Sequence, residues 1–349
     1  EEALVSYQKS LELNPNYPEA WTNYGNALFS LGRFAEAATA HEKALSLNPN
    51  YAEAWSNHGN ALLELKMGEE AYESYQRAYA LKPLHPYLMG QLLSAKLTSC
   101  IWDTQEPTVQ RLLKLVEGNN AVTIPFALLQ TPAGLDLQKK CAQAFVADRY
   151  PKHSSFDESL MRIADGKPKM KIGYFSSDFK NHPVGILMQN LLQHHDRSKF
   201  EIVGFFLNKK SGDEVERTLL EGFDRSYDLF GISDVAARNL ILDQEIDIAI
   251  DLNGHTAGAR TGLFARKVAP FQLNYLGYAG TSGSDFYDGL IADSIAIASE
   301  HESYFTEKIL RLPHSFFPLD TSIHPETFGI LPTRESQGLP ASEIGRAHV

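Results

Sequence analysis

A single short turn gathers three polar side chains that could handle the proton of a hydroxyl group. Asp178, Asn181 and His182 follow an apolar run at 172–175 and directly precede Pro183. A carboxylate or an imidazole within hydrogen-bond reach can accept a proton, and an amide can orient the group that releases it. Helix capping is the competing interpretation, because Asp, Asn and a residue before proline often begin a helix. We favour acid–base chemistry, with Asp178 and His182 as the candidate catalytic residues.

Two more polar segments follow apolar runs later in the chain. The first contains Asn253 and His255, after a predicted buried strand at 247–252, and the second is the glycine-rich stretch 277–283, which includes Thr281. Glycine lets backbone N–H groups approach a ligand closely, although this stretch matches neither the Walker motif nor GxGxxG. We expect Asn253, His255 and Thr281 to bind substrate, although a structural role explains His255 equally well.

Alternating strand and helix patterns place these segments at one edge of a sheet. Predicted strands lie at 171–175, 201–207, 227–230, 247–252, 271–275 and 289–292, and predicted helices lie at 184–192, 212–222 and 235–243. This alternation is typical of an open, mostly parallel sheet with helices on both faces. Parallel strands share one carboxyl edge, where such folds form their ligand crevices. We therefore predict an α/β domain at 169–341 whose crevice contains all three polar segments.

The first quarter of the chain repeats itself every 34 residues. Asn14, Pro15, Asn16 and Tyr17 recur as Asn48, Pro49, Asn50 and Tyr51, and Trp21, Gly25, Ala37 and Ala44 recur as Trp55, Gly59, Ala71 and Ala78. The period and the residue types resemble tetratricopeptide repeats, whose paired helices stack into a superhelix. We assign residues 1–85 to such repeats.

Asparagine recurs at equivalent places on the first helix of each repeat, at Asn23, Asn26, Asn57 and Asn60. A ladder of amides on a concave surface could hydrogen-bond the backbone of an extended peptide, which would make the repeats the binding site for a protein acceptor. A solvated polar face explains the same pattern equally well.

A connector at 86–168 joins the repeats to the sheet domain. The 34-residue period is lost there, but apolar residues keep helical spacing at 88–97, 109–116 and 135–147. Prolines separate these segments, and residues 165–168 form the predicted turn into the sheet. We expect the connector to pack between the two domains.

The composition excludes several classes of protein. A net charge of −11 over 349 residues argues against sequence-independent binding of nucleic acid. No apolar run is long enough to cross a membrane, and no signal peptide is visible. Two cysteines, Cys100 and Cys141, fit a reducing compartment and suggest a cytoplasmic protein; we interpret both as core residues. No His, Cys or carboxylate set has the spacing of a metal site.

Further motifs, in one order along the chain, resemble the family of tetratricopeptide-bearing protein O-GlcNAc transferases and their SPINDLY-type relatives. The matching stretches are 173–179 (GYFSSDF), 181–183 (NHP), 251–256 (DLNGHT), 258–260 (GAR), 269–272 (APFQ), 276–278 (LGY), 280–283 (GTSG) and 312–317 (LPHSFF). The resemblance implies the GT-B arrangement, in which two Rossmann-like lobes face each other across a cleft. Residues 169–341 would be the N-terminal lobe.

The resemblance also implies an activity: inverting, metal-independent transfer of a sugar from a nucleotide donor to Ser or Thr hydroxyls of a protein, with no cofactor. Asp178 is then the candidate proton acceptor, directly or through water, while Asn181 and His182 orient the acceptor and the sugar. Leu276 and Gly277 resemble part of the family's loop that lines one side of the sugar site, and we expect both to bind substrate.

The chain departs from the family at three positions. Ala279 replaces the usual proline, and Phe126 and His255 stand where animal members carry His and Tyr. The stretches 253–254 and 281–283 favour UDP-GlcNAc as the donor. Two alternatives are a SPINDLY-type O-fucosyltransferase that uses GDP-fucose and a non-catalytic repeat scaffold that binds peptides.

The end of the sequence resembles the approach to the family's second lobe. Residues 333–341 match the segment before that lobe, whereas 342–349 resemble a translated sequencing adapter, so we treat them as a non-native tail. The second lobe would hold the donor diphosphate on helix N-termini and lysines. We expect this chain, without that lobe, to transfer no sugar by itself.

Overall fold

The computed structural model describes residues 2–101, 105–150 and 168–319. Most of the predicted turn at 165–168, the segment 333–341 and the tail 342–349 lie outside these ranges. Within them, helices fill the first half of the chain and a parallel sheet flanked by helices fills the second. The predicted fold class is therefore confirmed. None of the described helices is long and apolar enough to span a membrane.

Successive helices form the repeats between residues 2 and 81. They are α1 (Glu2–Leu13), α2 (Pro18–Ser30), α3 (Phe34–Leu47), α4 (Ala52–Glu64) and α5 (Gly68–Leu81). The indole N–H groups of Trp21 and Trp55 each donate a 2.8 Å hydrogen bond to the carbonyl of Pro15 and Pro49, respectively. Each proline turn is thereby tied to the helix that follows it, which accounts for the spacing of proline and tryptophan in the repeat.

In each repeat, a fully buried residue on the second helix packs over a glycine on the first helix. The two repeats carry different residues at this position. Tyr75 packs over Gly59 and donates its hydroxyl proton to Asn60 Oδ1 at 2.7 Å. His41 takes the same place over Gly25, but neither of its ring nitrogens has a hydrogen-bond partner among the described residues. Burial lowers the pKa of His41 to about 4, because the charged ring would lose its hydration.

We expect His41→Tyr to remove an acid-sensitive position from the first repeat. The folded chain keeps His41 neutral down to about pH 4, whereas the unfolded chain protonates it near pH 6.5. The contribution of His41 to stability is therefore full above pH 6.5 and is lost as the pH falls towards 4. At 1.36 kcal/mol per pKa unit, the loss is about 3 kcal/mol.

Urea unfolding of parent and variant at pH 7 and pH 4 measures this difference directly. The variant should lose about 3 kcal/mol less than the parent over that interval. His41→Phe is the matched control, because it also binds no proton but offers no hydroxyl to Asn26, which is the counterpart of Asn60. Equal losses in the parent and both variants would contradict the prediction.

The connector contains α6 (Leu88–Thr98), α7 (Gln105–Glu117), α8 (Pro125–Leu128) and α9 (Leu135–Arg149). Its buried residues, including Leu93, Leu112 and Leu128, form one hydrophobic core with Leu62 and Tyr75 of the repeats. Repeats and connector are therefore packed as one continuous helical body.

The interpretation of both cysteines as core residues is wrong for Cys100. Cys141 is buried on α9, whereas Cys100 is exposed. Helix α6 ends with Ser99 as its C-cap, and Cys100 follows with a left-handed φ of 54°. The chain leaves the helix at this point, so the side chain of Cys100 lies outside the core.

Seven parallel strands form the sheet, in the order β3-β2-β1-β4-β5-β6-β7. They are β1 (Met170–Ser176), β2 (Phe200–Phe206), β3 (Arg225–Asp228), β4 (Ile248–Asp251), β5 (Phe271–Tyr275), β6 (Gly289–Ala292) and β7 (Ile309–Arg311). The flanking helices are α10 (Pro183–Gln193), α11 (Glu214–Gly222), α12 (Asp234–Asp243), α13 (Thr261–Ala265) and a 3₁₀ helix, Ser299–Tyr304. The strand order places β4 at the centre of the sheet, between β1 and β5.

Side chains alternate between two hydrophobic cores, one on each face of the sheet. Phe175 and Phe205 pack with α12 and α13, while Tyr174 and Ile202 pack with α10 and α11. The predicted strand at 227–230 in fact lies at 225–228. It ends early because the Asp228 carboxylate accepts the Phe230 N–H at 2.9 Å and turns the chain away.

Candidate functional site

The three polar segments of the sequence meet at the carboxyl edge of the sheet. Strands β1, β4 and β5 are adjacent, with Phe175 opposite Asp251 and Asp251 opposite Asn274. The loops that leave these strands therefore start side by side. The predicted convergence of the loops after β1, β4 and β5 is what the structure shows.

Asn253 is the hub that joins the first two loops. It is fully buried, and its Oδ1 accepts the Ser177 N–H at 2.8 Å. Its Nδ2 lies within hydrogen-bond distance of Ser177 Oγ (2.8 Å), Asp178 Oδ2 (2.9 Å) and Thr256 Oγ1 (3.0 Å). In this arrangement Asn253 orients the Asp178 carboxylate, and protein atoms surround its own amide.

Asp178 presents a carboxylate that is oriented but not enclosed. Its side chain is 14% exposed, and its N–H is tied back to Ser176 Oγ at 2.9 Å. Asn253 engages Oδ2, whereas Oδ1 faces the Lys180 ammonium at the longer distance of 3.7 Å. A partly exposed carboxylate with one oxygen held by an amide is suited to accept a proton from a bound hydroxyl.

His182 combines the two roles that its sequence position left open. Its Nδ1 accepts the Val184 N–H at 3.3 Å, so it is the N-cap of α10, with Pro183 in the first turn. A neutral ring that accepts at Nδ1 carries its proton at Nε2. Capping thus fixes the ring and leaves Nε2–H as a donor for a ligand.

The turn that carries these residues lies directly on the start of α10. A Cβ built on Gly185 would stand 2.3 Å from the Lys180 carbonyl oxygen and 2.8 Å from that of Asp178. Glycine is therefore needed at 185 for the turn to approach the helix so closely. Asn181 lies exposed at the outer end of the turn.

Asp251 forms the buried base of the site. Its carboxylate accepts the Tyr287 hydroxyl proton at Oδ2 and the Asn253 N–H at Oδ1, 2.9 Å away. Burial raises the pKa of Asp251 to about 6, and these hydrogen bonds offset only part of that effect. Through the hydrogen bond from the Asn253 N–H, Asp251 holds the start of the loop that carries Asn253.

His255 lies behind the crevice, between the connector and the third loop. It is 7% exposed, its ring meets Phe145 of α9 and Tyr278 edge-on, and its Nε2 lies 2.8 Å from the Ser282 carbonyl oxygen. Burial lowers the pKa of His255, so the neutral ring donates from Nε2 to that carbonyl. These contacts give His255 a structural role, which was one of its two interpretations from sequence. Substrate binding by His255 stays a prediction.

Leu276 and Gly277 begin the third loop in a strained, closely packed conformation. Leu276 has a left-handed φ of 73°. A Cβ on Gly277 would stand 1.8 Å from the carbonyl oxygen of Leu252, so no other residue fits without moving the backbone. The close approach of Gly277 to Leu252 joins the loop after β5 to the loop that carries Asn253.

Thr281 is buried and anchors the same loop to a residue that sequence reasoning missed. Its hydroxyl donates to Glu307 Oε2 at 2.6 Å, and the Ser282 N–H donates to Glu307 Oε1 at the same distance. Glu307 is itself only 5% exposed. Contact of Thr281 with substrate, like that of Asn253, remains a prediction, whereas its anchoring role is visible in the structure.

The asparagines of the repeats are not equivalent. Asn23 is exposed and Asn26 and Asn57 are half-buried, but Asn60 Oδ1 accepts hydrogen bonds from Tyr75 and from Gln91 Nε2, each at 2.7 Å. The oxygen of Asn60 is therefore used within the helical body. Peptide binding by these four residues stays a prediction.

Comparison with known proteins matches both halves of the chain to described families. The profile of glycosyl transferase family 41 matches residues 150–334, and tetratricopeptide-repeat profiles match 1–32, 25–66 and 52–83. An O-GlcNAc transferase mutant from Thermobaculum terrenum superposes with a TM-score of 0.54 at 24% identity. That superposition covers 90% of this chain and 54% of the other, and it supports the fold assignment.

Curated relatives match about half of this chain. The Arabidopsis thaliana protein named probable UDP-N-acetylglucosamine–peptide N-acetylglucosaminyltransferase SEC is 31% identical over 185 residues, 51% of this chain and 19% of that protein. A Caenorhabditis elegans UDP-N-acetylglucosamine–peptide N-acetylglucosaminyltransferase is 39% identical over 150 residues, 43% of this chain and 13% of its own length. The rice SPINDLY protein is 32% identical over 187 residues, 53% of this chain and 20% of its own. The chain thus spans a fifth or less of the length of these relatives.

Proposed function

The chain belongs to glycosyl transferase family 41, and we propose that it supplies the acceptor-side lobe of an enzyme that transfers N-acetylglucosamine from UDP-GlcNAc to Ser and Thr hydroxyls of proteins. The observation that carries the proposal is the half-enclosed carboxylate of Asp178, held by Asn253 where three loops meet. The names of the relatives support the donor and the peptide acceptor.

The proposed reaction is a single displacement at the anomeric carbon. The acceptor oxygen forms the new bond to that carbon while the bond to the UDP oxygen breaks, and UDP leaves with the electron pair. Attack from the side opposite UDP inverts the configuration. The hydroxyl proton passes to Asp178, directly or through one water molecule. His182 Nε2–H orients the acceptor or the sugar, and no metal is required.

We further propose that the repeats bind the acceptor polypeptide. The exposed amide of Asn23 and the half-buried amides of Asn26 and Asn57 lie on successive first helices, α2 and α4. Amides in such a row can pair with the backbone of an extended chain regardless of its sequence, which suits an enzyme with many protein acceptors.

Donor choice is tested with the full-length protein that carries this sequence. Incubation of an acceptor protein with UDP-GlcNAc or GDP-fucose, with and without EDTA, should give a product only with UDP-GlcNAc and at equal rates in both buffers. A product from GDP-fucose alone would favour the O-fucosyltransferase alternative. No product from either donor would favour the peptide-binding scaffold.

Replacing His182 by asparagine tests the donor role of its ring separately from its capping role. Asparagine caps helices well, so α10 should keep its stability. Loss of Nε2–H should lower the turnover number by about 10²–10³-fold, the range typical of removing one preorganised hydrogen-bond donor at a reacting centre. Turnover equal to that of the parent would restrict His182 to capping, and His194→Asn is the control, because His194 is an exposed histidine at the opposite end of α10.

A further inference from the structure

The turn between Asp178 and His182 is closed by short hydrogen bonds of its own. The Lys180 N–H donates to the Asp178 carbonyl at 2.8 Å, and the His182 N–H donates to the Lys180 carbonyl at 2.6 Å. The Asn181 N–H, between these two, instead points outside the turn and donates to Asp213 Oδ2 at 2.8 Å. A residue 32 positions later in the chain therefore holds the centre of the turn.

Asp213 is itself held firmly in place. It is the N-cap of α11, where its Oδ1 accepts the Glu216 N–H at 2.9 Å. Glu216 reaches back, and its Oε2 accepts the Gly212 N–H at 2.6 Å and the Ser211 hydroxyl at 3.2 Å. This arrangement resembles a capping box, except that Glu216 accepts the N–H of the residue before the N-cap, and it fixes the first turn of the helix. The two oxygens of Asp213 are thus divided between the helix and the turn.

The helices on either side complete a closed unit. Leu219 and Phe223, at the end of α11, pack in one core with Met188 and Leu192 of α10. Helix α10 begins directly after the turn, with His182 as its cap. The turn leads into α10, α10 packs on α11, and Asp213 at the start of α11 bonds back to the turn.

We infer that Asp213 is a positioning residue, whose second carboxylate oxygen holds the Asn181 amide and so sets the spacing between the Asp178 carboxylate and the His182 ring. The expected effect of Asp213 on the reaction rate rests on the proposed function. A displacement of about 1 Å between reacting groups can cost about 10²-fold in rate. The hydrogen bond from Asn181 also contributes most to the lowered pKa of Asp213, as expected for a carboxylate that stays charged.

Asp213→Ser separates the two roles of the side chain. Serine is as good an N-cap as aspartate, so its single oxygen can serve Glu216 while the Asn181 N–H loses its acceptor. Ser233→Ala is the matched control, because it removes the cap of α12, which accepts the Ala236 N–H at 3.3 Å, without touching the turn. Neither change alters a group placed at the reacting atoms.

Hydrogen exchange of the Asn181 amide is measured first, in this chain. Exchange should be at least about 10-fold faster in Asp213→Ser than in the parent or in Ser233→Ala, the change expected on losing a hydrogen bond to a charged group. In the full-length protein, Asp213→Ser should then lower kcat by about 10–100-fold with the KM for the donor nearly unchanged.

Unchanged exchange at Asn181 in Asp213→Ser would overturn the inference, whatever the activity. Faster exchange with a parental kcat would overturn it as well, because the bond would then not position the reacting groups. Failure of the unaltered full-length protein to transfer sugar is a separate result, which overturns the proposed function and is read from the parent alone.

Discussion

Replacing Asp178 by asparagine in the full-length protein is expected to lower the turnover number for sugar transfer by about 10²–10⁴-fold, the contribution typical of a general base. The amide has nearly the shape of the carboxylate, and its oxygen can still accept the hydrogen bond that Asn253 Nδ2 gives at 2.9 Å. The turn should therefore keep its geometry and lose only its proton acceptor. Donor affinity should change little.

Steady-state rates with UDP-GlcNAc and an acceptor protein measure the effect, and thermal unfolding checks the fold. Asp228→Asn is the matched control, because Asp228 is an exposed aspartate at the same sheet edge whose carboxylate likewise accepts an N–H hydrogen bond, that of Phe230. Full activity in Asp178→Asn would exclude Asp178 as the proton acceptor. Equal losses in both variants would point to a general effect on the sheet edge.

Replacing Gly277 by alanine should have the largest effect on stability. The new Cβ would lie 1.8 Å from the Leu252 carbonyl oxygen, far inside van der Waals contact, and that oxygen belongs to the backbone and cannot turn aside. The loops after β4 and β5 would have to separate. We expect a loss of about 2–4 kcal/mol in the free energy of unfolding of the sheet domain.

Hydrogen exchange of β4 and β5 in increasing urea measures this loss in the chain itself. Gly134→Ala is the control. A Cβ built on Gly134 would have no described atom beyond its chain neighbours within 4 Å, and its φ is −65°, so the effect should stay below about 1 kcal/mol. Similar unfolding free energies in the two variants would contradict the close packing of Gly277 on Leu252. Since Leu252 precedes Asn253, the same change should also disturb Asp178.

Local sequence patterns predicted the elements of this fold well. Strands β5 and β6 match their predicted bounds, because their apolar residues are bounded by glycine and proline signals that act over a few positions. Ser233 is likewise of a residue type that favours helix starts, and it accepts the Ala236 N–H as the N-cap of α12. The meeting of the three polar loops at one edge followed from the rule that parallel strands share a carboxyl edge, where ligand crevices form.

The contacts inside the site were less predictable, because they join residues far apart in the sequence. Asn253 and Thr281 lie in loops, yet both are buried by partners from other elements. Tyr287 and Glu307, which hold Asp251 and Thr281, lie 36 and 26 positions from those partners. The pair Asp213 and Glu216 did carry a capping-box signal, but nothing local showed that Asp213 would reach Asn181.

The most direct test of the account is the mass of an acceptor protein after incubation with UDP-GlcNAc and the full-length protein, alongside its Asp178→Asn variant. The account predicts that N-acetylhexosamine appears on Ser or Thr residues with the parent and is nearly absent with the variant over the same time. Equal modification by both proteins would contradict the placement of the reaction at the turn that carries Asp178.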